Sequence, residues 1–173
     1  MSNRWMTRVA LILGLAVLAL VGLKMNAAGT IPVTLNVGEV GPRDLSAEEQ
    51  TQKAIVRDYA KAWKSMNDAL GDNQASALGD MWVGMAKEKL VAQISDQKSS
   101  GMTTRYIDKG HKLEALFYSA EGSALQLRDT AQVETQVLDG SKVVGSDTAT
   151  VHYIVVMTPT ADHWQVRIFQ PVQ

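Results

Sequence analysis

The chain has 173 residues, 46% apolar and 20% charged, a globular mixture sized for one domain plus a tail. A formal net charge of -1 leaves no electrostatic footprint for nucleic acid, and no single-strand pattern of interleaved aromatic and basic residues is present. The absence of cysteine excludes disulfides, thiolate metal sites and a lipid-modified N-terminal cysteine.

The chain begins MSNRWMTR, with Arg4 and Arg8 and no acid, and continues into Val9–Leu23, a run without one polar side chain, followed by Lys24. A basic stretch ahead of an apolar run is an export signal. The run is shorter than the roughly 20 residues with which a helix crosses hydrocarbon. Snorkelling by Lys24 and extension through Met25–Ala28 make up the difference. The rival reading is cleavage at the small residues Ala27, Ala28 and Gly29. Residues 1–28 are therefore a signal anchor or a signal peptide. Both arginines precede the run, so the N-terminus stays in the cytoplasm and all that follows Lys24 faces outward. The expected location is the cytoplasmic membrane with a single pass, or the periplasm or exterior after cleavage.

Residues 29–45 hold two prolines and three glycines and read as a linker, although Ile31, Val33, Leu35 and Val37 alternate as in an extended arm. The domain is expected over 46–173. Ser46 with Glu49 three residues on forms a capping-box pattern. Ile55, Val56, Tyr59, Ala60, Trp63, Met66 and Leu70 then recur at helical spacing, and Gly71 supplies the stop. Gly79 and Gly84 interrupt the next helical stretch. A second helix is expected over Val83–Lys98, ended by Gly101, with Leu90, Val91 and Ile94 on its buried side.

Beyond Gly101 the period changes from helical to two. TTRYI predicts a short strand, and HKLEALFYSA puts Leu113, Ala115 and Phe117 on one face. The stretch SALQLRDTAQVETQV is a strand, Asp139-Gly140 turns the chain, and DTATVHYIVVMT and WQVRIFQ close it. Helices followed by an antiparallel meander describe an α+β domain, with helices packed on one face of a curved sheet.

That order resembles the nuclear transport factor 2-like superfamily, the cone-shaped fold shared by scytalone dehydratase and ketosteroid isomerase, over about Ser46–Gln173. YAKAWKSMNDAL followed by LRDTAQVETQVLDG is also similar to the domain of chloroplast-division proteins and their bacterial relatives. That likeness implies a membrane-tethered scaffold or interaction domain. The layout further resembles the single-pass scaffold subunit of type IV secretion, without its Asn-Pro motif. A superfold of this kind hosts many unrelated activities.

Asp129 is the chemical candidate. It shares the strand parity of Leu125, Leu127, Ala131, Val133 and Val137, so it faces the concave side, where enzymes of the superfamily keep acids. A buried carboxylate must gain a donor or raise its pKa, and a raised pKa suits a general acid or base. Three readings stand: a structural acid or a face reversal by a bulge between Arg128 and Thr130, a pocket group, or a catalytic acid. Tyr59, Trp63, Trp82 and Tyr153 line either the core or a pocket mouth. On the other parity of the long strand, Thr148, Thr150, His152, Ile154 and Val156 form a convex face suited to a homodimer. His111 and His163 fall at strand ends and are expected to be exposed. No histidine pair has zinc spacing, and neither a nucleophile elbow nor a phosphate loop is present, so no metal and no cofactor is expected. The functional expectation is a membrane-tethered, extracytoplasmic scaffold or binding domain whose partner is a protein or a small hydrophobic ligand. The alternative is a small-molecule isomerase or dehydratase using Asp129.

Overall fold

The structure is a computed structural model describing residues 31–172; the signal anchor or signal peptide expected over residues 1–28, with Val9–Leu23, lies outside the described residues. Among the described residues no helix is long and apolar enough to cross a membrane. In chain order the elements are β1 (Val33–Asn36), a 3-10 turn (Leu45–Ala47), α1 (Glu49–Gly71), a second 3-10 turn (Ala75–Leu78) and α2 (Gly84–Ser100). Then follow β2 (Met102–Tyr118), β3 (Leu125–Asp139), β4 (Lys142–Pro159) and β5 (Trp164–Val172).

The five strands form one sheet in sequence order, antiparallel from β2 to β5, with β1 added parallel to β2. The helices lie against one face of this sheet. Ile55, Tyr59, Trp63, Met66 and Leu70 of α1 meet Leu113, Leu127, Val155, Met157 and Val166 of the sheet in a single buried cluster. At roughly 25 cal/mol per Å² of apolar surface, a core of this kind is the main force holding α1 to the sheet. Trp82 is fully buried beside it, its indole N–H donating to Ala62 O at 2.9 Å and so tying the interhelical segment to α1.

Several expectations need correction. Of the stretch expected as a linker, residues 31–45 are not a free spacer: the alternating Val33 and Leu35 enter the sheet opposite His111 and Leu113, and Val40 and Leu45 are buried. Ser46 does not cap α1. Its N–H and hydroxyl both donate to Asp44, which opens the 3-10 turn, and Glu48 stands at the N-cap of α1. The local Asx-type hydrogen bond won over the capping box because Asp44 lies only two residues away. The second helix begins at Gly84 and runs two residues past Lys98, where Gly101 at φ 72° closes it by donating to Gln97 O and Lys98 O. Val91 faces solvent, and Ala86 joins Leu90 and Ile94 on the buried side.

The largest surprise is in β2. TTRYI and the strand after it are one continuous strand carrying two extra residues. The register steps from Asp108 to Gly110 and from Ala115 to Phe117, leaving Lys109 and Leu116 without a place in the ladder. Each bulge shifts the side-chain alternation by one. The second turns Tyr118 into the core and leaves Phe117 43% exposed, the reverse of the expected face.

Candidate functional site

The first bulge builds a dense cluster of buried ionisable groups. In a regular strand Asp108 and His111, three apart, point to opposite faces. The extra residue Lys109 brings both to the inner side, and Gly110 takes the required φ of 140°. Asp108 braces this turn by accepting the Gly110 N–H at 2.8 Å. On β3 the pairing passes through Arg128, Asp129 and Thr130 without interruption, with Asp129 opposite Leu113 on one side and Tyr153 on the other. The bulge proposed there to reverse its face does not exist. Asp129 faces the core.

His111 is 2% exposed and is neither solvated nor at a strand end, contrary to expectation. Its Nδ1 lies 2.8 Å from Asp129 Oδ2 and its Nε2 lies 2.8 Å from Asp108 Oδ2. A neutral imidazole has one donor, while two carboxylates facing both nitrogens call for two. The ring is therefore imidazolium. Burial alone would lower its pKa, but the hydrogen bonds from the ring to Asp108 and Asp129 outweigh burial and push it up to about 9. Tyr59 of α1 completes the group, its hydroxyl donating to Asp129 Oδ2 at 2.7 Å. Burial first, and then the Asp129 charge, hold the Tyr59 hydroxyl well above its ordinary range, so it stays a donor.

Two carboxylates, one imidazolium and one neutral phenol carry a net charge of about one negative unit. Aromatic rings close over it: Trp63 sits 4.4 Å from the His111 ring and Tyr59 meets that ring edge-on at 5.6 Å. Tyr153 stacks on Phe169 at 4.2 Å and packs edge-on against Trp63. Burial raises the Tyr153 hydroxyl well above its ordinary range, with the neighbouring Tyr106 and Asp129 adding to the effect. The sequence candidates Tyr59, Trp63, Asp129 and Tyr153 are thus brought together, while Trp82 lies in the core against Phe169. Tyr59 and Asp129 have no exposed surface at all, so substrate cannot reach the carboxylate in this conformation. Among the described residues Asp129 Oδ1 and Trp63 Nε1 find no hydrogen-bond partner.

His163 is half-buried at the start of β5, with Asp162 and Asp80 beside it. A second buried carboxylate, Asp58, escaped the sequence reading; it lies on α1 beside the buried Ile55, Tyr59 and Ala62. It accepts two hydrogen bonds from Arg57, at 2.7 and 2.9 Å, and the Trp164 N–H at 2.9 Å, pinning the start of β5 to α1. On α2, Gly84, Lys87, Val91 and Ser95 line an open surface groove of about 480 Å³, and none of Tyr59, Asp108, His111 and Asp129 lines it. Among the described residues no group of side chains could hold a metal ion.

No family model and no curated protein sequence matches the chain. Solved structures do. The intermembrane-space region of the chloroplast protein ARC6 superposes with a TM-score of 0.60 at 15% identity, over 76% of this chain and 98% of that one. A protein of the NTF2-like family from Streptomyces avermitilis, described as a dehydratase, gives 0.46 at 11% identity over 70% and 99%. A periplasmic fragment of TraM gives 0.45 at 11% over 65% and 96%. At these identities the likeness speaks for fold alone. On the superposition at 0.60 the chain shares the fold of the intermembrane-space region of ARC6, with helices on one face of a largely antiparallel sheet.

Proposed function

We propose that this protein is a membrane-tethered, extracytoplasmic interaction domain that binds a protein partner and performs no chemistry. The observation that carries this reading is the sealed interior. An enzyme of this fold class needs an open cavity where polar groups converge on substrate. Here the converging groups, Tyr59 and His111, both bond Asp129 Oδ2, and Trp63 and Tyr153 cover them. The carboxylate spends its charge on α1 and β2, not on a ligand.

The convex face is the surface offered to a partner. Thr150 and His152 are exposed and Ile154 and Val156 half-buried, a mixed surface suited to reversible docking. Tethering rests on Arg4, Arg8 and the apolar Val9–Leu23. The ARC6 intermembrane-space region and the TraM periplasmic fragment also lie outside a cytoplasm, which agrees with export of this domain.

A second reading, an isomerase or dehydratase using Asp129, has one observation in its favour: Asp129 Oδ1 has no partner among the described residues, as expected of a general base awaiting substrate. It requires Trp63 and Tyr153 to swing away. One experiment separates the two. Photo-crosslinking from His152 in the full chain, expressed in membranes, should recover a protein adduct. Saturation of Asp129 by small hydrophobic ketones or alcohols, with no protein adduct, would favour the enzyme. A reporter fused after Gln173 should be active only outside the cytoplasm; activity inside would remove the tether.

A further inference from the structure

β4 is longer than its cover. β5 pairs with it only from His152, opposite Val172, to Pro159, opposite Trp164. Before His152, β4 has β3 on one side and, among the described residues, no strand on the other. Lys142–Thr148 is exposed on both faces. The open edge along the first half of β2 is treated quite differently. Asn67 accepts the Tyr106 N–H and donates to the Tyr106 carbonyl, as a neighbouring strand would. Asn73 donates to Met102 O, and Asp108 takes the Gly110 N–H. No side chain makes such a bond to the backbone of 142–151 among the described residues. An edge left open beside one that is closed is a template for another strand.

The open slot has definite ends. The register of β3 on β4 steps from Gly145 to Val143, so Val144 is a bulge, and the pairing with β5 begins at His152. Between them Gly145–Val151 is regular. We propose that a second copy of this chain fills this slot, β4 pairing antiparallel with β4 about a two-fold at Thr148. That register sets Thr148 against itself and Ser146 against Thr150, cross-strand pairs that favour association. The single charge of the slot, Asp147, then faces Ala149 of the second copy and not its own like. At either end Val144, 50% exposed, reaches Val172 of the second copy, 37% exposed. The two-fold stands perpendicular to the sheet, so Thr150 and His152 of both copies share one continuous convex face. This deepens the interaction reading above and rests on it only for that shared face.

The test uses full-length chains carrying two different tags, co-expressed in membranes. Wild-type copies co-purify. Thr148→Asp alone or Thr148→Lys alone places like charges directly opposite and lowers recovery roughly ten-fold, and mixing the two variants restores it. Thr148 is exposed, so both variants keep the parent melting temperature. As the chain has no cysteine, Thr148→Cys supplies a single thiol that crosslinks to itself on oxidation, while Glu88→Cys on α2 does not. Failure of wild-type copies to co-purify, loss without rescue in the mixture, or equal crosslinking from Glu88→Cys overturns the edge dimer. Recovery of a different protein on β4 in place of the second copy also overturns it, while leaving the interaction reading standing.

Discussion

His111 and Asp129 lie on neighbouring strands, with Nδ1 and Oδ2 2.8 Å apart and neither side chain touching solvent. The pair is not directly cross-strand: His111 stands opposite Ala131, and the imidazole leans along the sheet to reach the carboxylate. Tyr59 bonds the same oxygen from α1, so a single atom joins helix and sheet.

His111 titrates far from the ordinary histidine range. Its imidazole nitrogens, followed by NMR, should both stay protonated at pH 7 and lose a proton only near pH 9. A neutral ring at pH 7 would deny the two-carboxylate geometry its charge.

Stability should follow. The folded state holds this proton up to about pH 9, whereas the unfolded ring releases it near 6.5. The stabilisation is complete below pH 6.5 and is lost as the pH rises through 9, amounting to about 3 kcal/mol. Urea melts at pH 6, 7.5 and 9 would show it as a falling midpoint. A midpoint that rises over this interval would contradict the assignment.

Tyr59→Phe keeps the ring packing and removes one hydrogen bond to a charged oxygen. The loss should be about 1.5–3 kcal/mol, read from denaturant melts. A neutral effect would mean that the hydroxyl is replaced at no cost, and that α1 is held by apolar contact alone.

The Lys109 bulge should be indispensable where its sequence is not. Deleting Lys109 returns β2 to regular alternation and turns Asp108 outward, so the His111 proton should be lost at lower pH. Lys109→Ala keeps the bulge and should leave the His111 titration unchanged, because the Lys109 side chain only pairs with Glu134 at the surface.

Much of the fold was legible. The helical stripe from Ile55 to Leu70, the Gly101 stop and the alternation of β3 all express physics that acts within a few residues. Asp129 was legible for the same reason: its parity placed it inward, and the uninterrupted register keeps it there. His111 was not. Its burial depends on a bulge, and a bulge changes every side chain after it. The lone Gly110 inside a strand pattern was the available signal. Asp58 was invisible because its partner, the Trp164 N–H, is a backbone group far along the chain.

The account turns on whether Asp129 is structural, and the unfolding free energy of Asp129→Asn in the otherwise intact chain addresses this most directly. Breaking a buried, hydrogen-bonded ion pair costs about 3–5 kcal/mol, so a drop of that size is predicted, with partner capture from the convex face retained in the folded fraction. An unchanged melting curve, with altered handling of a small molecule, would contradict it and return Asp129 to the chemistry of an active site.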